Sequence, residues 1–260
     1  MVIVITSIVA AIIATFMRRP VDAYLDSARR AALTDVADTA VRRMARDIHK
    51  ALPNSVRQVD NQCIEFIPTK VGGRYRAVVD NEGNGDILDF STLDSSFDML
   101  GLNGDLAANQ QIALGDIIAV YNLGITGADA YTGDNTAMIA DLSAGDLDNE
   151  TKIAIGPKQF PLASSSHRFH VIPGNETIVS FICSGGVLYR NSNYDYATSC
   201  SAPTPGSTPV LAENVSSCNF VYNNSDLQRN ALVQMTIQLT DPDSGESVWL
   251  YHEAHVNNSP

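Results

Sequence analysis

Basic side chains are scarce in this 260-residue sequence, which has 17 Lys and Arg residues against 29 Asp and Glu residues and a formal net charge of −12. The acidic excess lies in residues 53–260, because residues 1–52 carry more basic than acidic side chains. Proteins that bind nucleic acids contact the phosphates through Lys and Arg. The composition therefore argues against a nucleic-acid partner.

Motifs for phosphate binding and catalysis are also missing. The chain contains no P-loop, no G-x-G-x-x-G and no G-x-S-x-G sequence. The segment His252-Glu-Ala-His255 has one residue too few for the zinc motif H-E-x-x-H, and it lies in a predicted strand, where residues three apart face opposite sides. The sequence therefore identifies no catalytic residue and no metal ligand, and it predicts a protein that is not an enzyme.

One acidic segment, residues 141–150, carries enough carboxylates to suggest calcium, which prefers six to eight oxygen ligands. It lacks the alternating acidic residues and the closing Glu of an EF-hand loop. We interpret it as a solvated acidic loop, with calcium as the one cofactor that the sequence suggests.

Cysteines are few but even in number: Cys63, Cys183, Cys200 and Cys218. None of them forms a C-x-x-C pair, which argues against zinc and favours two disulfides formed in an oxidising compartment. Three connectivities are open. We expect Cys200–Cys218, which closes one Pro/Ser-rich loop, together with Cys63–Cys183, which joins two strand-like runs. Four reduced, buried cysteines are the alternative.

Charge is absent from residues 1–17, which begin a long predicted helix over residues 1–52. Residues 18–52 are amphipathic, with apolar side chains every three or four positions. We interpret residues 1–17 as a transmembrane or fibre-core segment. Their length of about 25 Å is at the short end for a membrane span. A buried helix and a cleaved signal peptide are the alternatives.

Residues 53–260 are predicted to form strands and loops, because Pro53 ends the helix and no helical period follows it. Residues 177–190 predict a hairpin around Ser-Gly-Gly, and residues 233–239 alternate as a half-buried strand. Residues 80–150 are rich in Gly, Asp and Asn and predict long loops and edge strands. We expect an α+β fold in which the long helix packs on a mainly antiparallel β-sheet domain over residues 53–260.

This order of elements resembles a type IV pilin or pseudopilin. The more specific match is Ala51-Leu-Pro-Asn-Ser-Val-Arg57 followed by Cys63-Ile-Glu-Phe-Ile-Pro68 and Arg74-Tyr75, which resemble the MshO family of minor pilins of the MSHA pilus. The late segments 211–222 and 245–260 are similar to that family and to PilW- and GspJ-like minor pilins. The resemblance covers most of the chain and is weakest over residues 80–150.

The resemblance implies a non-catalytic minor pilin that assembles or primes a type IV pilus. Its partners would be other pilins and minor pilins, the inner-membrane assembly machinery and membrane lipid. It would be a single-pass inner-membrane protein with its bulk in the periplasm, and would reach the pilus or cell surface after assembly. The alternative is a membrane-anchored periplasmic binding or adhesin domain outside any fibre.

The family begins with a basic leader and the motif G-F-T-L-[IV]-E, cleaved after Gly and methylated on Phe. This sequence starts within the apolar run, so the role of the family's glutamate in assembly carries over to no residue here. Close helix packing would instead use small side chains. The predicted assembly face consists of Ala10, Ala11, Ala14, Ala28, Ala31 and Ala32.

Overall fold

The computed structural model describes residues 2–196, 198–222 and 230–260, without the side chains of residues 11, 14, 15, 17–22 and 230. It contains an α-helix, α1 (Val2–Ile48), and a short 3-10 helix at Asn103–Asp105. The strands are β1 (Arg57–Asp60), β2 (Cys63–Phe66), β3 (Val71–Arg74), β4 (Asp94–Leu100), β5 (Ile117–Ala119), β6 (Thr136–Ala144), β7 (Glu150–Lys158), β8 (Arg168–Ile172), β9 (Val179–Ser184), β10 (Val187–Ser192), β11 (Val210–Ala212), β12 (Val215–Tyr222), β13 (Asn230–Thr240) and β14 (Ser247–Asn257).

The strands pair antiparallel in three sheets. The orders are β1-β2-β9-β10-β11, β12-β13-β14 and β3-β8-β5-β6-β7-β4. The first two sheets enclose one hydrophobic core together with the second half of α1. The six-stranded sheet is built from the chain between β2 and β9 and has a core of its own. It is therefore a unit inserted into the five-stranded sheet.

The second half of α1 packs on β13 and β14 because its apolar residues recur on one face. Ala37, Val41, Met44 and Ile48 lie on this face, and each is at most 1% exposed. The helix ends at Ile48, four residues before the predicted end. Beyond it the amide of Leu52 donates a hydrogen bond to the carbonyl of Ile67, 2.8 Å away, so the chain leaves the helix by joining the segment that follows β2.

Met44 allows a direct test of this packing. Its side chain is completely buried in the core shared by the helix and two sheets. We expect Met44→Ala to lower the free energy of unfolding by about 2–5 kcal/mol, through lost burial and a residual cavity. The neighbouring exposed residue provides the control: Arg43→Ala should change it by less than about 0.5 kcal/mol in urea unfolding. Equal effects would contradict the packing.

The six-stranded sheet curls until its two edges meet. An antiparallel bridge between Tyr75, just after β3, and Met99 in β4 joins the outer strands. The interior is filled by side chains, including Phe97 and Phe169, whose ring centroids lie 5.4 Å apart in an edge-to-face arrangement. Gly73 is needed at this point because a Cβ there would lie 2.5 Å from the Phe169 ring. The sheet is thus a small, filled barrel.

The predicted α+β fold class is wrong. The described residues form fourteen strands in three sheets, so the chain is a mainly β protein. The single sheet domain expected beneath the helix is divided into two bodies with separate cores. Only the second half of the long helix packs on the sheets, because the described side chains from Val2 to Leu25 are exposed and burial in the core begins near Leu33.

Residues 80–150 contain more sheet than predicted. Four barrel strands, β4 to β7, begin or lie within this segment. Their apolar runs are short, and their partners are distant in sequence, such as β8 for β5. Local patterning does not reveal such long-range pairs, which is why the segment is predicted to form long loops and edge strands.

All four cysteines form disulfides, as predicted, but the expected pairing is wrong. The bonds are Cys63–Cys200 and Cys183–Cys218. Cys63 lies opposite Ile182 across β2 and β9, so Cys183, the next residue, points to the other face of the sheet. There Cys183 meets Cys218 of β12 in the shared core and links two sheets.

The predicted localisation, a single-pass inner-membrane protein, is also contradicted. Within residues 2–196, 198–222 and 230–260, no helix is sufficiently long and apolar to span a membrane.

Candidate functional site

The first half of α1 carries a large apolar surface that packs against no other described element. Its exposed fractions range from 47% for Val9 to 80% for Ile3. The residues concerned are Val2, Ile3, Val4, Ile5, Ile8, Val9, Ile12, Ile13 and Phe16. Monomeric proteins in water rarely expose contiguous apolar patches larger than a few hundred Å². This surface, named here the apolar helix surface, is therefore a candidate contact site.

Four of the six alanines of the predicted assembly face have described side chains, and only Ala10 of these lies within the span of the apolar helix surface. Ala10, Ala28, Ala31 and Ala32 are all exposed. The side chains of Ala11 and Ala14 lie outside the described residues. Small exposed side chains let a second helix approach closely. The second half of the helix therefore has a buried face toward the sheets and a free face that includes small residues.

Two ion-pair groups fix α1 to the sheets. The Arg30 guanidinium donates two hydrogen bonds, of 2.7 and 3.0 Å, to the Glu246 carboxylate in the β13–β14 turn. This bond raises the pKa of Arg30 and lowers that of Glu246. Near the end of the helix, Arg190 of β10 donates to Asp47 at 2.8 Å and to both oxygens of Glu176. The second half of the helix is thus held at both ends.

Arg190 is the more strongly constrained of these anchors. Burial by itself would lower the pKa of Arg190, but its hydrogen bonds to Glu176 and Asp47 outweigh burial and raise it. Asp38 and Arg42 pair within the helix, at 2.6 Å, whereas Asp47 binds Arg190 of β10.

The acidic segment 141–150 forms the end of β6, a turn and the start of β7. Two of its four carboxylates pair with basic side chains: Glu150 with Arg76, and Asp146 with Lys152. Among the described residues no three metal-binding side chains converge. The structure therefore gives no support to the suggested calcium ligands.

Sequence reasoning missed a buried polar cluster on the outer face of β2. Glu65 is fully buried and accepts hydrogen bonds from Arg57, from the Tyr194 hydroxyl and from the Cys200 amide, the last at 2.9 Å. The Arg57 guanidinium also lies over the Tyr131 ring, 3.7 Å from its centroid. Burial, followed by the nearby Glu65 charge, raises the pKa of Tyr131.

No family model, curated protein or solved structure matches the chain. The features available for a functional hypothesis are therefore the geometry of α1 and the resemblance of segments such as Ala51–Arg57 to minor pilins. Of these, the apolar helix surface has the clearest physical consequence, because leaving it in water is costly.

Proposed function

We propose that this chain is a non-catalytic subunit of a type IV pilus-like fibre, in which it acts as a minor pilin in assembly or priming. The observation that carries the proposal is the apolar helix surface, which is exposed over Val2–Phe16 while the second half of the same helix is buried on one face. The helix would enter the fibre, and the β-rich body would lie outside it.

Apolar burial supplies the driving force for this assembly. Removing apolar surface from water is worth about 25 cal/mol per Å², and fully burying one Ile or Val side chain is worth about 1.5–3 kcal/mol. Eight exposed Ile and Val residues together with Phe16 on one helix favour contact with other apolar helices. We therefore propose other pilins and minor pilins as the partners, with the pilus assembly machinery acting on them.

The rigid second half of α1 supports a structural role. Because Arg30 binds Glu246 and Asp47 binds Arg190, the β-rich body keeps one orientation relative to Ala28, Ala31 and Ala32. A subunit whose helix is packed among others would then place its body at a defined position on the fibre. Such a role requires no catalytic group.

A charge in the apolar helix surface should prevent assembly. Ile12 is 61% exposed, and Ile12→Arg would bury a guanidinium among apolar helices, at a cost of several kcal/mol. In cells that assemble type IV pili, we expect the amount of this variant in the sheared fibre fraction to fall at least tenfold. A cost of about 1.4 kcal/mol already corresponds to a factor of ten.

Met138→Arg is the matched control. Met138 is equally exposed, at 61%, but lies on the barrel strand β6, away from the helix. This variant should enter fibres at the wild-type level, and both proteins should keep their disulfides and protease resistance. Normal incorporation of Ile12→Arg would reject the role of the apolar helix surface in assembly. Absence of the wild-type chain from the fibre fraction, with the purified chain monomeric, would reject the fibre role and favour an independent binding module.

A further inference from the structure

A cavity of about 360 Å³ lies between the outer wall of the barrel and the end of the three-stranded sheet. Its polar lining includes Arg168, Ser165 and Ser166, and its apolar lining includes Tyr121 and Leu123. Ligand sites prefer such positions at the junction of two structural units and combine apolar walls with a few polar groups.

Arg168 is directly opposite Arg74 across β8 and β3. Cross-strand neighbours have Cβ atoms about 4.5–5.5 Å apart, and like charges in this position destabilise a sheet. Both side chains are exposed. In the described part of the chain, neither guanidinium has a hydrogen-bond or ion-pair partner. In a protein with 29 acidic residues, two adjacent unpaired arginines form an isolated positive site.

The nearby His170 adds no positive charge to this site at neutral pH. His170, two residues along β8, has its pKa lowered to about 4 by burial and, to a smaller extent, by the Arg168 charge. Tyr121 follows β5 on the opposite side of β8 from Arg74. Arg168 thus brings positive charge to the cavity lining, and Arg74 lies outside the lining, beside Arg168 across the strand pair.

The backbone around the cavity is held in uncommon conformations. Asn54, Tyr121 and His167 have φ values of 58°, 49° and 55°. The first two line the cavity, and His167 lies between lining residues. Such strain costs about 1–3 kcal/mol per residue and clusters at ligand sites.

Asparagine hydrogen bonds join the strained segments to each other. The Asn54 amide group donates to the carbonyls of Asn122, at 2.9 Å, and Asn258, at 3.2 Å. Asn122 in turn donates to the Pro53 carbonyl at 2.7 Å. Three segments that are distant in sequence are therefore fixed as walls of one cavity.

We propose that Arg74, Arg168 and the adjoining cavity bind the phosphate monoester group of a small molecule. The guanidinium groups would donate to phosphate oxygens, with Ser165 and Ser166 as further donors. A phosphate monoester carries a charge of about −1.5 to −2 at pH 7 and so balances both arginines, whereas one carboxylate leaves a positive charge. Tyr121 and Leu123 would face the organic part of the ligand.

The test uses the full chain in neutral detergent and measures binding by titration calorimetry with four probes: glucose 6-phosphate, inorganic phosphate, glucuronate and glucose. We expect binding of glucose 6-phosphate and none of glucose. Equal affinity for inorganic phosphate would identify the phosphate group as the whole ligand, and weaker affinity would show that the cavity wall contributes. Glucuronate binding as tightly as glucose 6-phosphate would overturn the charge-balance assignment.

Arginine variants locate the site. Arg168→Gln and Arg74→Gln should each weaken phosphate binding about tenfold or more, because a hydrogen bond to a charged group is worth about 1.5–3 kcal/mol. Arg168→Lys should retain part of the affinity. Arg43→Gln removes the same charge from an exposed position on α1 and should have no effect.

Without ligand, Arg74→Gln should raise the unfolding temperature, because it removes the like-charge pair. An equal loss of binding in Arg43→Gln, unchanged binding in the Arg74 and Arg168 variants, or no phosphate binding at millimolar concentration would overturn the proposal. The site is independent of the apolar helix surface, so fibre assembly and phosphate binding can fail separately.

Discussion

Replacing Arg57 with alanine is expected to lower the free energy of unfolding by about 3–5 kcal/mol, because removing one partner of a buried ion pair leaves a buried charge uncompensated. Glu65 is 0% exposed, and within the described residues Arg57 is the only cation that contacts its carboxylate. The Tyr194 hydroxyl and the Cys200 amide would remain as hydrogen-bond donors, but neither carries a positive charge. The cation–π contact with Tyr131 would also be lost.

Urea unfolding of two comparison variants separates this effect from a general loss of an arginine. Arg42→Ala removes the Asp38–Arg42 pair, in which Arg42 is 70% exposed, and it should cost less than about 0.5 kcal/mol. Arg57→Ala with Glu65→Leu removes the stranded carboxylate, and should be more stable than Arg57→Ala alone. Similar costs for Arg57→Ala and Arg42→Ala would contradict the buried-pair explanation.

Glu65 illustrates the limit of local sequence patterns in this chain. In Cys63-Ile-Glu-Phe66, alternation placed Glu65 on the face opposite Ile64 and Phe66, which is correct. All four residues of β2 are nevertheless buried, because the segment around Tyr194 and Cys200 covers that second face. Alternation identifies the two faces of a strand, but it does not reveal what a distant segment contributes to the second one.

The features that could be predicted are those that depend on neighbouring residues. The periodicity of Leu33–Ile48 predicted the buried helix face, and Ser184-Gly185-Gly186 predicted the β9–β10 hairpin. The uncharged residues 1–17 likewise predicted an unusual apolar surface, because composition alone defines it. The membrane span predicted for residues 1–17 is contradicted, because no helix in the described part of the chain is long and apolar enough to cross a bilayer.

The features that could not be predicted depend on pairing between distant residues. Arg74 and Arg168 are neighbours only because β3 pairs with β8. The choice of Cys200 for Cys63 similarly depends on which face of β9 carries Cys183. Closure of the barrel by Tyr75 and Met99 also requires the whole strand order. These contacts can be predicted from the residue types only when the strand order is already known.

Removing the Cys63–Cys200 disulfide is expected to cost about 5 kcal/mol in the chain-entropy model, because the bond joins residues 137 apart. The same model gives about 4 kcal/mol for Cys183–Cys218, which joins residues 35 apart. Chain entropy alone therefore predicts a similar stabilisation by the two disulfides. Their surroundings differ, since Cys183–Cys218 lies in the core between two sheets, whereas Cys63–Cys200 ties the segment after β10 over Glu65.

The double variant Cys63→Ala with Cys200→Ala should therefore have a local effect on the segment after β10 that the double variant Cys183→Ala with Cys218→Ala lacks. Release of the segment would remove the Tyr194 and Cys200 donors from Glu65 and expose that carboxylate to water. Amide exchange should then rise in residues 193–196 and 198–209 while β12 and β13 stay protected. In Cys183→Ala with Cys218→Ala, by contrast, the exchange should rise in the strands of the shared core.

The prediction for Arg57→Ala and the prediction for removal of the Cys63–Cys200 disulfide are coupled, and measuring this coupling tests both of them. Once the segment has been released, Glu65 is solvated, so Arg57→Ala should cost much less in the Cys63→Ala and Cys200→Ala background than in the wild type. In the Cys183→Ala and Cys218→Ala background, Arg57→Ala should lower the free energy of unfolding by as much as it does in the wild type. If Arg57→Ala costs the same in all three backgrounds, the Cys63–Cys200 bond does not hold the cover over Glu65, and the disulfide would stabilise the protein through chain entropy alone.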